Sequence, residues 1–378
     1  MRRLLPLVAA LALYPASASA AARFAVVVGS NVGAQGRPRL WFAEKDAQTF
    51  AQTLVELGDF HPDRVTVLRN PSSTAVRETL AATEAKIRLA RTGGERTLLV
   101  VYYSGHAGAR GIELGPEALG FDELRAAVIR SSAEARIAIV DACEAGLLTQ
   151  VKGAVAAPAL DFAIGTDEAA KGTAFIASTA VGEQAQESAS LGGSFFTHHL
   201  EAALHGAGDA DGDGLVTLAE AFRYTSAMTR SETAGTQPGA QHPTYDFQMS
   251  GRGDVVLADL RRADARLRLP ADPGARYVLR GTRFLLAEIA GAASPIALGL
   301  PSGSYSVERR TSAGRATGTV VLARGDDVGL PLLAPTRYEV ARSKGGPKPG
   351  LLYTGLGLSW IDLPGFGPAP AVGLGLRR

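Results

Sequence analysis

Two runs of this chain are apolar at every position rather than at alternate ones, Leu98 to Tyr103 and Ile137 to Val140. A strand covered by helices on both faces has that pattern, whereas a half-exposed strand alternates. Both runs therefore read as central strands of a parallel sheet. Phe24 to Val28 and Val65 to Leu68 predict two further strands, and Gly29-Ser30-Asn31 a strand-end turn. Between them Ala43, Ala47, Phe50, Leu54 and Leu57 recur at helical spacing and stop at Gly58. Helices are also predicted over Thr74 to Ala90 and Phe121 to Ile129. Residues 150 to 171 show little period and read as a long loop, followed by a strand from Gly172 to Ser178. Two more helices, near Phe195 to His205 and up to Arg230, precede a polar loop from Ser231 to Gly239 and a last strand from Asp254 to Leu257. Strands alternating with helices imply a mostly parallel sheet with right-handed crossovers.

From about Arg262 the period shortens. Arg266 to Leu269, Tyr277 to Leu279, Tyr305 to Val307 and Thr319 to Leu322 are short runs separated by Pro-Gly, Ser-Gly and Gly-Asp turns. Such spacing predicts a small all-β sandwich. Leu300-Pro301-Ser302-Gly303-Ser304-Tyr305-Ser306-Val307 resembles the "LPxGxYxV" hairpin of small surface-protein β-sandwich repeats. Residues 341–350 read as a linker, and Leu356, Leu358, Trp360 with Val372, Leu374, Leu376 as a terminal hairpin resting on the sandwich. Two strands are too few to close a membrane barrel.

Composition adds the compartment. Arg2 and Arg3, the apolar stretch Leu4 to Tyr14 and the small residues Ala18-Ser19-Ala20 have the layout of an export signal. The apolar stretch is too short to cross a bilayer, and no other segment is long enough. The chain is thus expected to be exported, to a periplasmic or extracellular location. Its formal net charge is +2, and loss of Arg2 and Arg3 would leave it neutral. Nothing there suggests a nucleic-acid or anionic-membrane partner. The expected organisation is a signal peptide at 1–20, an α/β domain at 21–258, a β-sandwich at 259–340, and a linker with hairpin at 341–378.

The two central strands also carry the chemistry. One breaks into Ser104-Gly105-His106-Ala107-Gly108, the other into Asp141-Ala142-Cys143. Catalytic groups of open α/β sheets collect beyond the carboxyl ends of the strands. A His and a Cys there suit a base and its thiol nucleophile, with the backbone N–H groups of Ala107 and Cys143 as oxyanion donors. Cys143 is the only cysteine, so it has no disulfide partner within the chain.

These blocks resemble the signature of caspase-like cysteine peptidases, and more specifically of metacaspases and related bacterial caspase-domain proteins. Tyr102-Tyr103-Ser104-Gly105-His106 is similar to their "YSGHG" and Asp141-Ala142-Cys143 to their "DxCxSG". Leu40 to Phe50, with Asp46-Ala47, resembles their "NDA"-type first helix. Ile176-Ala177-Ser178 with Glu183 to Glu187, and Gly193 to Thr197, match their later "S…Q.A.E" and "G.FT" segments in the same order. The resemblance spans residues 22 to about 258. It implies a caspase-like three-layer α/β sandwich and cleavage of protein or peptide substrates by the dyad His106 and Cys143.

Two departures bear on mechanism. Ala107 replaces the family's usual Gly, and Glu144 sets a carboxylate beside the nucleophile, which opposes thiolate formation unless it points away. The animal-caspase signature around the cysteine is absent, so cleavage after Asp is not expected. The resemblance instead maps the metacaspase pocket aspartates onto Asp141 and Asp46, implying cleavage after Arg or Lys. Asp141 could alternatively cap its own loop. Lys152 and Lys171, in the predicted loop, would then suit self-processing.

Asp209, Asp211, Asp213 and Glu220 stand at positions 1, 3, 5 and 12 of an EF-hand calcium loop, with Gly214 at 6 and the Leu215 carbonyl at 7. The expectation is a Ca²⁺ site outside the chemistry, with an Asp/Gly turn capped at Asp213 or Thr217 as the alternative. His198 and His199 adjoin on one helix and read as solvated or core residues; His61, His205 and His242 have nothing to pair with. Two rival functions use the same residues: a catalytically silent caspase-fold scaffold, or a calcium-dependent surface-binding protein whose β-domain holds a surface or protein ligand.

Overall fold

The computed structural model describes residues 21–150, 168–252, 254–281, 286–336, 356–363 and 366–374. The expected signal at 1–20, Lys152 and the linker at 341–350 lie outside them.

The runs apolar on both faces became the middle of a six-stranded sheet. In chain order its strands are β1 (Ala22–Ser30), β2 (Val65–Arg69), β3 (Thr97–Gly105), β4 (Ala135–Asp141), β5 (Glu168–Ala177) and β6 (Thr244–Arg252), arranged β6-β5-β4-β3-β1-β2. All pairs are parallel except β5 with β6. Every residue of β3 is buried. Its side chains alternate between two cores, as the pleat requires. Leu98, Val100 and Tyr102 join one with helices α1 (Ala43–Glu56), α4 (Phe195–Ala202) and α5 (Leu218–Thr233). Leu99, Val101 and Tyr103 join the other with α2 (Ser73–Thr92) and α3 (Phe121–Arg130). Three layers result, helices on both sides of a mostly parallel sheet.

Two local readings need correction. The strand after the long loop begins at Glu168, so Lys171 sits in β5 paired with Ser250 rather than in a loop. The sixth strand is Thr244–Arg252, whereas Val256–Asp259 pairs only with Leu215–Thr217. Its signal was the alternation of Tyr245, Phe247 and Met249, which pack on the first core; an edge strand carries only that weaker, half-buried pattern. The Gly-rich segment after His106 forms an antiparallel mini-sheet of Ala107–Gly108, Gly111–Leu114 and Glu117–Leu119.

The β-sandwich region folds as two sheets around Leu267, Leu269, Tyr277, Leu279, Ile289, Leu298, Tyr305 and Val307. It belongs to the same compact unit as the α/β domain, which extends to Pro335. The seam is partly polar. His205, expected to have nothing to pair with, is buried with Nδ1 2.6 Å from the Gly299 carbonyl. The Glu288 N–H donates to His198 Nε2 at 3.3 Å, and Arg276 pairs with Glu232. His198 and His199 are both core residues. A second unit, Thr336–Arg378, contains the antiparallel hairpin Leu356–Leu363 with Phe366–Leu374. Among the described residues, no helix is long and apolar enough to cross a membrane.

Candidate active site

Register brings the two motifs together. β3 and β4 are parallel with Ser104 opposite Asp141, so His106 and Cys143 each lie two residues beyond a paired position. Both line a cleft of about 370 Å³ at the carboxyl ends of the strands. Ala107, Asp46, Asp141, Glu144, Arg37 and Ser194 line it as well. The chain reverses its direction of winding between β1 and β3, and clefts of open α/β sheets form at such points.

His106 is 7% exposed, and its Nε2 lies 2.8 Å from the Pro38 carbonyl. A carbonyl only accepts, so Nε2 carries the hydrogen and Nδ1 is the nitrogen left to take a proton. The peptide carbonyl of His106 is held in turn by the Tyr103 hydroxyl at 2.6 Å and the Glu113 N–H at 2.8 Å. A trans peptide then turns the Ala107 N–H to the opposite side, away from both donors. The tyrosine reaches the carbonyl beneath Gly105, where a Cβ would stand only 2.3 Å from its hydroxyl oxygen. Small size at that motif position thus has a steric cause.

Arg37 and Glu113 buckle the loop after β1 over the histidine turn. The guanidinium pairs with Glu113 at 3.0 Å and donates to the Ala107 carbonyl at 3.2 Å. Burial opposes ionisation of Glu113, but the Ala34 N–H and Arg37 hold its carboxyl below the usual range. Burial pushes the Cys143 thiol up; the Ala185 N–H and the Arg37 charge pull it back, while Asp141 and Glu144 add to the rise. A thiol in that balance is mostly protonated at neutral pH and requires a base.

The two aspartates form the floor. Asp141 is 3% exposed; its Oδ2 accepts from the Ser194 hydroxyl and, at 2.7 Å, from Thr197, whereas its buried Oδ1 has no partner. Asp46, 6% exposed in the first turn of α1, accepts the Ser194 N–H at 3.1 Å. Burial raises the pKa of both, and for Asp46 the neighbouring Asp141 adds to it. Ser194 also caps α4, accepting the Thr197 N–H at 2.9 Å. Tyr102 and Thr197 share a 2.5 Å hydrogen bond. Adjacent tyrosines on opposite faces of β3 therefore serve different parts of the cleft, Tyr102 the acidic floor and Tyr103 the histidine turn.

Several of these residues carried no signal in the sequence. Pro38, Arg37 and Glu113 lie in loops or on a short hairpin, with no spacing to mark them. His242, expected to be unpaired, lies 2.7 Å from Glu183 at the cleft wall. The alternative that Asp141 caps its own loop does not describe this structure, because its partners are Ser194 and Thr197 on another element.

The acidic loop stands apart. Carboxylate oxygens of Asp209, Asp211 and Asp213 lie within 4.8 Å of one another. Glu220 does not join them; its carboxylate accepts from the N–H groups of Ala210 at 3.1 Å and Thr217 at 3.0 Å. Thr217 and Glu220 form the reciprocal capping box of α5, as the alternative reading expected of Thr217.

The family model described as "Caspase domain" matches residues 22–252. The chain belongs to the caspase-domain family. Caspase-1 from Spodoptera frugiperda is a similar solved structure, at 14% sequence identity over 67% of this chain and 100% of that one, with a TM-score of 0.47. A structure described as pro-sf-caspase-1 is similar at 15% identity over 63% and 96%, with a TM-score of 0.40. No curated protein matches the sequence. For a caspase-domain chain the substrate is protein, and cysteine-peptidase chemistry is the family's activity.

Proposed function

We propose that the chain is an exported cysteine endopeptidase that uses His106 and Cys143 and cleaves after Arg or Lys. His106 Nδ1 takes the thiol proton as the sulfur attacks the scissile carbonyl carbon. The N–H groups of Ala107 and Cys143 receive the developing oxyanion. Collapse expels the amine, which takes the proton from His106, and leaves a thioester. Water, deprotonated by the same imidazole, releases the acid and restores the thiol.

The observation that carries the specificity is the unpartnered Oδ1 of Asp141, a buried acceptor on the floor of the cleft that holds the thiol. A guanidinium or ammonium group would supply its missing donors, and a substrate carboxylate would meet two carboxylates. An Arg-terminated electrophilic peptide should label wild type and leave Cys143→Ala unlabelled, and an Arg reporter should be cleaved far faster than an Asp one. Equal or better cleavage of the Asp reporter would overturn the specificity. A scaffold reading would require no labelling at all.

The loop of Asp209, Asp211 and Asp213, with the Leu215 carbonyl, is proposed to hold Ca²⁺, a role supported by the convergence of the three carboxylates. Glu220 would have to leave its capping position to become a ligand. Calcium should then raise the melting temperature of the purified chain, by about RT ln(1 + [Ca²⁺]/Kd) in free energy. An unchanged melting temperature at millimolar calcium leaves only a turn.

A further inference from the structure

Glu144 opposes the catalytic reading, since it places a negative charge directly after the nucleophile. Its geometry argues for a different role. Among the described residues only Asp59, Asn70 and Glu144 have positive φ without being glycine, and Glu144 has φ 56°. Side chains rarely adopt that region unless surrounding contacts impose it. Here they are on the facing loop. The Glu144 carboxylate accepts the Gly182 N–H at 3.0 Å, and its own N–H donates to the Glu183 carbonyl at 3.3 Å.

The same two loops are tied at other points. Ala142 N–H donates to Ser178 Oγ at 3.1 Å, and Thr179 Oγ1 donates to the Ala142 carbonyl at 3.1 Å. Gly146 lies so close that a Cβ there would stand 2.6 Å from the Val181 nitrogen. Beyond Gly182 and Glu183 the facing loop reaches Ala185, which lines the cleft with Cys143 and whose N–H favours the thiolate. Farther back, Glu183 anchors the loop by accepting from the N–H groups of Ala180 and His242.

We propose that Glu144 is a positioning residue that clamps the 182–185 loop, so that the Ala185 N–H is held beside Cys143 in the cleft. The role rests on the reading of Cys143 as the nucleophile. Arg37 and His106 line the same cleft as the thiol, together with the acidic Asp46, Asp141, Glu144, Glu183 and Glu187. Among these, the Glu144 carboxylate does two opposed things. Its charge disfavours the thiolate, and its hydrogen bond preserves a donor that favours it.

Two substitutions separate these effects. Glu144→Gln removes the charge but keeps an acceptor oxygen for Gly182, whereas Glu144→Ala removes both. Because the chain has one cysteine, the pH profile of iodoacetamide alkylation of the full-length protein reports Cys143 alone. The expected order of apparent thiol pKa is Glu144→Gln at or below wild type, and Glu144→Ala above it. Alkylation at fixed neutral pH should slow about threefold or more in Glu144→Ala, with its far-UV spectrum unchanged. A Glu144→Ala thiol that titrates at or below wild type would overturn the clamp. So would a Glu144→Gln thiol that titrates above it, since the charge would then be favouring the thiolate. Alkylation needs no peptide cleavage, so an inactive wild type would count against the peptidase reading and leave this result standing on its own.

Discussion

Replacing His106 with alanine is expected to lower kcat/KM on an Arg reporter by about 10³–10⁴-fold, the upper range for a general acid–base residue. The effect should be large because burial raises the Cys143 thiol pKa, so little thiolate exists before the base acts. The fold should survive, since the ring's one hydrogen-bond partner is the Pro38 carbonyl. An unchanged melting temperature with unimpaired cleavage would remove His106 from the mechanism. The Pro38 carbonyl is the other half of this argument, because it decides which ring nitrogen is free.

Asp141→Asn should separate function from stability. Removing one partner of a buried ion pair costs about 3–5 kcal/mol, or roughly 10²–10⁴-fold in kcat/KM for an Arg substrate. Cys143 alkylation should not slow, since losing the Asp141 charge removes one of the effects that raise the thiol. The pH dependence has a definite sign. Burial raises the folded pKa of Asp141 and Asp46, so the folded protein holds their protons to higher pH than the unfolded chain does. Their contribution to stability is therefore full below the unfolded pKa, near 4, and is lost as pH rises through the raised values. Cleavage after Arg needs the ionised carboxylates and should fall on acidification through that same elevated range. The neutral asparagine keeps an acceptor for Ser194 and Thr197, and should melt at or above the wild-type temperature. Undiminished Arg cleavage would show that Asp141 does not read the substrate.

Periodicity described the sheet well where both faces are buried and less well at its edge. Leu98 to Tyr103 could be nothing but a central strand, whereas Thr244–Arg252 alternates and was passed over for the weaker Asp254 to Leu257. The site followed the same division. His106 and Cys143 were legible because each follows directly from a strand of unmistakable pattern. Arg37, Pro38 and Glu113 were not, because their roles depend on a loop folding back over a turn about seventy residues away, and no local spacing encodes such a contact. The polar seam with the β-sandwich was hidden for the same reason. His205 meets Gly299 only after two regions dock.

By itself the sequence determined the layers and the central strands, and which two side chains leave those strands at their carboxyl ends. Local apolar pattern is sufficient for that, since burial on two faces leaves no choice of strand position. Tertiary structure alone decided what those side chains can do. Parallel register set Ser104 beside Asp141 and so His106 near Cys143. The cap of α4 turned Asp141 into a buried carboxylate with one oxygen unpaired. The loop facing Cys143 supplied the Ala185 N–H and took up the Glu144 carboxylate. Hydrogen-bond partners distant in sequence set the proton position, charge state and orientation of each group, and those are properties of the assembled fold.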